Sequence, residues 1–247
     1  MVSFTAEQRF IVTGASSGIG EGVALLLNGL GATVIGIGRN VERLEAMKAK
    51  AKAPERVFLE VKELTEDIAG LPAYVKSLKD KYGKFRGMAL CAGISNVMPV
   101  QMMTYEAVHQ MFDINYFAPL FMAKAFGDRR INAGAGSALV AISSIGGIVA
   151  ERGQCMYAGA KAGLAASFKS IAREFTAQHV RVNCVSPAMV ETPMAIDTTS
   201  DYHAQQRAKY PFGYAEVSDV ANMVAYLLSD DAKWITGQNY IIDCASF

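Results

Sequence analysis

The chain reads as an α/β protein, a doubly wound, seven-stranded parallel sheet flanked by helices on both faces. Three observations predict it. Seven short apolar or β-branched runs recur along the sequence, helix-length segments alternate with them, and the first run ends in a glycine-rich turn. Strand alternating with helix implies right-handed βαβ crossovers, and these place a ligand cleft beyond the carboxyl ends of the strands.

In order, the runs are RFIVTG (9–14), ATVIGIG (32–38), RVFLEV (56–61), GMALCAG (87–93), SALVAIS (137–143), VRVNCVS (180–186) and NYIIDC (239–244). Runs of this kind suit strands covered on both faces. Two of the intervening segments, 105–127 and 157–178, are apolar or small on more than one face. Each is expected to pack on the sheet and on something else, most simply a second copy in a homo-oligomer. No linker, repeat or low-complexity tract divides the chain, so residues 1–247 are read as a single domain.

A formal net charge of +1 with 51% hydrophobic residues describes an ordinary soluble globule. It lacks the basic excess that nucleic acid or an anionic membrane would require, which leaves a small molecule as the expected partner. The N-terminus has no apolar signal region and no run of 18 apolar residues occurs, so a cytoplasmic location is expected. Cys91, Cys155, Cys184 and Cys244 show no C-x-x-C spacing and are read as buried reduced thiols. His109, His179 and His203 are too dispersed to form a metal site.

The first strand runs into TGASSGIG (13–20). Gly14, Gly18 and Gly20 permit a tight turn that brings backbone N–H groups and a helix N-terminus up to a pyrophosphate, with Ser16, Ser17 and Ile19 completing the loop. An ordinary glycine-rich strand-to-helix turn is the plainer reading. Where a ribose-binding acid would stand in an NAD site, after the second strand, the chain has Gly38 followed by Arg39. An acid would repel a 2′-phosphate and Arg39 would pair with it, which favours NADP(H) and leaves NAD(H) as the alternative. Arg39 also reads as a solvated cation at a strand end.

Polar residues gather at the same strand ends. Tyr157 precedes Lys161 by one helical turn, Ser144 ends the fifth run, Thr192 follows the sixth, and Asn115 interrupts an aromatic helix. Roughly half a Tyr-x-x-x-Lys pair is expected by chance in such a composition, so the pair gains weight only from its neighbours. A buried Asn needs partners, because an unsatisfied amide costs about 1–3 kcal/mol. Capping a helix break or bonding neighbouring backbone is its structural alternative.

The ordered set of TGxxxGxG (13–20), Asn115, Ser144 thirteen residues before Tyr157-x-x-x-Lys161, RVNCVSPAMVETPM (181–194) and ITGQNYIID (235–243) resembles the short-chain dehydrogenase/reductase family over essentially the whole chain. The 3-oxoacyl-carrier-protein reductases are similar members. The resemblance implies a Rossmann-like fold, an NAD(P)-dependent oxidoreductase and a dimer or tetramer. It implies that Tyr157 is the general acid that protonates a carbonyl oxygen as hydride leaves the nicotinamide, and the base in the reverse direction. A free phenol titrates near about 10. At roughly 5 Å and an effective dielectric near 20, attraction to Lys161 is about 3 kcal/mol, enough to lower the phenol by about two pKa units. Lys161 would also bind the nicotinamide ribose, and Ser144 would stabilise charge on the substrate oxygen. Asn115 would hold a proton-relay water, and Thr192 would fix the carboxamide. Ala92, Gly93, Pro187 and Val190 join the implied cofactor contacts. Ser143, one register off, faces the other side of its strand and has no role in the reaction.

The chain departs from the family pattern in places. Leu90-Cys91 replaces two asparagines, Pro187-Ala188 replaces Pro-Gly, DCAS (243–246) replaces Asp-Gly-Gly, and Ser17 stands where many NADP-dependent members have a basic residue. The usual acid after the third strand is read as Glu60, reaching the adenine amino group.

Residues from about 190 to 215, with Met194, Ile196, Tyr202, His203, Arg207, Tyr210 and Phe212, read as a lid over substrate or as a surface segment packed on the body. The segments 94–100 and 147–154 would complete the cleft walls, and Cys155 and Met156 are where substrate preference is expected to be written. The leading function is NADPH-dependent reduction of a ketone to a secondary alcohol. An NAD-linked alcohol or sugar dehydrogenase working oxidatively, and a non-catalytic dinucleotide-sensing regulator, are the alternatives.

Overall fold

Along β1 (Arg9–Thr13), Phe10 and Val12 join the apolar layer on one face of the sheet and Ile11 joins the other, all fully buried. The split follows from the two-residue repeat of an extended chain. It recurs in β4 (Gly87–Leu90), with Ala89 opposed to Met88 and Leu90, and in β5 (Ala138–Ile142), with Val140 opposed to Leu139 and Ala141. Cover on both faces is why these runs are apolar without interruption. The computed structural model describes residues 2–196 and 210–246, with backbone alone at 195 and 196.

β2 (Thr33–Gly38), β3 (Val57–Val61), β6 (Arg181–Pro187) and β7 (Asn239–Ile242) complete one parallel sheet, ordered β3-β2-β1-β4-β5-β6-β7. Six of the seven predicted runs contain their whole strand, and the sixth, 180–186, falls one residue short of the end of β6 at Pro187. Leu27 of α1 (Gly18–Gly29) and Val224 of α8 (Val217–Leu228) pack on one face. Val75 of α3 (Leu71–Tyr82), Met122 of α5 (Ala118–Phe126) and Phe168 of α6 (Cys155–Phe175) pack on the other. α2 (Val41–Ala49) starts where the Asn40 side chain accepts the Arg43 amide at 2.7 Å, and α4 (Tyr105–Phe112) where Thr104 caps Ala107. A helical turn, α7 (Pro193–Ile196), follows β6. Because β1 lies between β2 and β4, the order reverses there and a crevice opens at the carboxyl ends.

The sequence pattern at β6 and before β7 is a clasp. Asn183 donates to the Ile235 carbonyl at 3.0 Å and accepts from the Gln238 amide at 3.1 Å, while Thr236 accepts from the Val182 amide at 3.0 Å. Buried Arg181 donates to the carbonyls of Leu227 and Ser229. These bonds fix the sheet edge and leave the β6 carboxyl end to the cleft.

The segment 105–127 is not one regular helix. A π-helical turn over Asp113–Phe117 joins α4 to α5. Asn115 lies in it, fully buried, and donates to the carbonyls of Met111 (3.0 Å) and Ile94 (2.9 Å). The widened turn aims the amide at the loop after β4, a common use of such turns.

Candidate active site

The dinucleotide end of the cleft is built from the turn after β1. Gly14 and Gly18 have φ of +68° and +55°, a region where a Cβ is strained. A Cβ on Gly20 would stand 2.3 Å from the Gly14 carbonyl oxygen, so the turn closes only without side chains. Gly14, Ser16, Ser17, Gly18, Ile19 and Gly20 all line the cleft, with the first N–H groups of α1 left unpaired by the helix itself. That cradle fits a pyrophosphate. Thr13 supports the opposite wall: its hydroxyl accepts from the amides of Cys91 (3.0 Å) and Ala92 (3.1 Å), bracing the loop that lacks the family's asparagines. Gly93 needs its lack of a side chain, since a Cβ there would stand 2.6 Å from Asn115 Oδ1 and 3.5 Å from Lys161 Nζ.

The catalytic end joins β5, the turn after it, and α6. Ser144 caps that turn, its Oγ accepting from the Gly146 amide at 3.0 Å, which leaves its own O–H to donate. Ser143 turns the other way and donates to the Lys161 carbonyl at 2.9 Å, docking α6 on the strand. Lys161 is 4% exposed and donates from Nζ to the Ile142 carbonyl at 2.7 Å. Its Nζ lies 5.8 Å from the centre of the Tyr157 ring. Burial brings Lys161 down to about 8, against the nearby Cys184 and Cys91 thiols, which pull it up. Burial raises the Tyr157 phenol, and a hydrogen bond with Ser144 opposes the rise.

This differs from the expectation that Lys161 lowers the phenol: burial raises it, Ser144 is what opposes the rise, and the Lys161 ammonium is hydrogen-bonded to the Ile142 carbonyl. Ser144, Tyr157, Lys161, Asn115, Pro187, Val190 and Thr192 line one cavity, and Ile19, Cys91, Gly93, Ile94, Thr192 and Met194 line it and the dinucleotide end together. The two form one continuous cleft. The Asn115 side chain is bonded to backbone at both ends, its Oδ1 accepting from the Ile94 amide at 3.3 Å, as the structural alternative for a mid-helix Asn requires.

Glu60 is a correction. It does not line the cleft; its carboxylate accepts from Tyr82 (2.7 Å) and Lys81 (2.9 Å) at the end of α3. Glu60 is still inside β3, where strand alternation turns it to a helix-covered face. Glu63, beyond the strand end, is the acid that lines the dinucleotide end among the described residues, with Lys62, Leu64 and Thr65 beside it. Its signal was present: Glu63-Leu64 is an acid before an aliphatic residue just as Glu60-Val61 is. Glu63 Oε2 accepts from Arg39 at 3.1 Å across the dinucleotide end.

Two further expectations change. Met156 is buried against Met111 and Ala160, and exposed Cys155 touches the Met103 sulfur, so neither is among the residues that line the cleft. Of the lid residues, Tyr210 and Met194 line the cleft and Phe212 is 87% exposed. Tyr202, His203, Arg207 and the Ile196 side chain lie outside the described residues. The Val190–Ala215 bridge pins the segment's two ends together. Cys91 and Cys244 are partly exposed rather than buried, and all four thiols are free. Among the described residues no helix is long and apolar enough to cross a membrane, and no cluster of His, Cys, Asp or Glu could hold a metal.

The site's likeness to known proteins extends over the chain. A family model described as enoyl-(acyl carrier protein) reductase matches residues 14–244. The D-erythrulose reductase of Gallus gallus is 31% identical over 239 residues, covering 96% of this chain and 94% of that protein. The 3-oxoacyl-[acyl-carrier-protein] reductase of Thermotoga maritima is 30% identical over 235 residues, covering 94% and 95%. A crystal structure of a short chain dehydrogenase from Burkholderia cenocepacia in complex with NADP superposes with a TM-score of 0.89 at 25% identity, covering 97% of this chain and 98% of that one. The chain belongs to the short-chain dehydrogenase/reductase family, the oxidoreductases that act on CH–OH and C=O groups with NAD(P).

Proposed function

We propose that the protein is an NADPH-dependent reductase that converts a ketone to a secondary alcohol. The observation that carries this reading is the convergence of Ser144, Tyr157 and Lys161 at the inner end of a cleft whose other end is the glycine cradle. Bound NADPH supplies the hydride. Tyr157 gives its proton to the substrate oxygen, and its raised pKa keeps that proton in place at neutral pH. Ser144 donates to the same oxygen and stabilises the charge that grows there. Lys161 offsets the negative charge left on the phenol and holds the ribose hydroxyls, while Asn115 positions the Ile94 segment against which the reaction occurs.

Exposed Arg39 at the adenosine end supports NADPH over NADH, as does the NADP complex of a structural relative. The cavity mixes apolar Val97, Ile145 and Val149 with polar Glu151 and Gln154. That lining, and the likeness to an erythrulose reductase and a 3-oxoacyl reductase, support a hydroxyketone or a 3-oxoacyl thioester as substrate. The partly exposed Phe112, Tyr116 and Phe117 support burial of this flank against a second copy, which light scattering on the purified protein tests.

NADPH oxidation by the pure protein over a ketone panel that includes erythrulose and acetoacetyl thioesters is the direct test. Turnover with at least one ketone, lost in Tyr157→Phe while NADPH still binds, is the expected result. A Tyr157→Phe variant with full turnover overturns the assignment of the proton donor, and no turnover with any ketone overturns the reaction.

A further inference from the structure

The Arg39–Glu63 pair lies at the end of the cleft where the NADPH reading puts the 2′-phosphate that distinguishes the two cofactors. Both residues line the dinucleotide end of the cleft. The two oxygens of Glu63 are divided between partners. Oε1 accepts from the Thr65 amide (3.1 Å) and the Thr65 hydroxyl (2.8 Å), and Oε2 accepts from Arg39 Nη1 at 3.1 Å. Partial burial alone would push this carboxyl up, yet the bonds from Thr65 and Arg39 prevail and hold it below the usual carboxylate range. It is a fixed anion at neutral pH. The neighbouring cation, Lys62, is itself paired with Glu66 at 3.2 Å.

Arg39 is the more exposed member. Its side chain is 72% exposed, against 34% for Glu63. A guanidinium on a flexible stem can turn to a phosphate, whereas Glu63 stays where Thr65 holds it. A 2′-phosphate therefore has to draw Arg39 away from a carboxylate that remains nearby and repels it. NADH lacks that phosphate and leaves the pair intact.

We propose that Glu63 is a positioning residue that limits how strongly the protein prefers NADPH to NADH, by competing with the 2′-phosphate for Arg39. The proposal rests on the NADPH reading above. It makes the preference smaller than Arg39 alone would give, and it assigns the tuning to a residue 24 positions away in sequence from the arginine.

Calorimetric titration of NADPH and NADH into wild type, Arg39→Ala and Glu63→Gln tests it. The Gln side chain keeps an oxygen for Thr65 and loses both the charge and the acceptor that Arg39 uses, since an amide NH2 replaces Oε2. The expected result is NADPH binding about two- to fivefold tighter in Glu63→Gln, the scale of an exposed ion pair, with NADH binding unchanged. Unchanged or weaker NADPH binding, or equal shifts for both cofactors, overturns the role of Glu63. The wild type and Arg39→Ala separate the two levels. A wild-type preference for NADPH that Arg39→Ala removes upholds the cofactor reading whatever Glu63→Gln does. A wild type with no such preference overturns that reading and this inference with it.

Discussion

Lys161 donates to the Ile142 carbonyl at 2.7 Å while its nitrogen lies 5.8 Å from the centre of the Tyr157 ring. The cation is thus anchored to the end of β5, within electrostatic reach of the phenol but not spent on it. Burial weakens both charged forms, lowering Lys161 to about 8 and raising Tyr157.

The first consequence is a pH-dependent stability term. Folded Lys161 titrates near 8 and an unfolded lysine near 10.5, so between those values the unfolded chain binds more protons and folded stability rises with pH. Below about pH 8 the buried charge imposes its full cost. Lys161→Met removes the term, so its stability relative to wild type should decline by about 2 kcal/mol between pH 7.5 and 9.5. Urea unfolding of both proteins at the two pH values measures this, and a constant difference rules it out.

Ser144 is held by the Gly146 amide in a pose that leaves its proton to give. Ser144→Ala should lower kcat/KM for ketone reduction by about 10²- to 10³-fold, as loss of one oxyanion donor does elsewhere. Cofactor affinity should stay as it was. Steady-state kinetics with a titration of NADPH separates the two quantities.

Gly20 has no room for a side chain, with the Gly14 oxygen 2.3 Å from its ideal Cβ position. Gly20→Ala should open the turn and weaken dinucleotide binding at least about tenfold, the effect of losing about 1.4 kcal/mol. Fluorescence titration with NADPH reads it directly. Binding at wild-type strength would show that the cradle tolerates the shift.

Thr13 is buried and its hydroxyl is the acceptor for two amides of the Cys91 loop. Thr13→Val keeps the shape and strands both donors. A loss of about 2 kcal/mol in unfolding free energy is expected, read by urea denaturation.

Cys244 and Ala245 take φ of +49° and +57° where the family pattern has glycines. A side chain in this region costs roughly 1–2 kcal/mol, partly offset by the extra freedom glycine gives the unfolded chain. Cys244→Gly and Ala245→Gly should each stabilise the protein by about 0.5–1 kcal/mol. Thermal unfolding checks it, and a lower Tm in both variants would contradict the strain.

Much of this was legible before the structure. The strands could be found because cover on both faces leaves an uninterrupted apolar run, and β4 with its buried Met88, Ala89 and Leu90 is an example. Tyr157 and Lys161 could be paired because one helical turn separates them. Glu60 and Glu63 could not be told apart in the same way. Each precedes an aliphatic residue, and the difference lies in where β3 stops pairing with β2, at Val61 opposite Gly38.

The sequence by itself determined the order of strands and helices, the glycine turn, and the spacing that brings Ser144 and Tyr157 together, because each is written in local periodicity or local backbone freedom. Only the tertiary structure decided that Asn115 would be absorbed by Ile94 and Met111, that Met156 would enter the core, and that Lys161 would rest on Ile142. It also decided that Arg39 would meet Glu63 rather than stand free. Those outcomes depend on which groups from distant parts of the chain arrive within about 3 Å of one another, and hydrogen bonds and desolvation act only at that range.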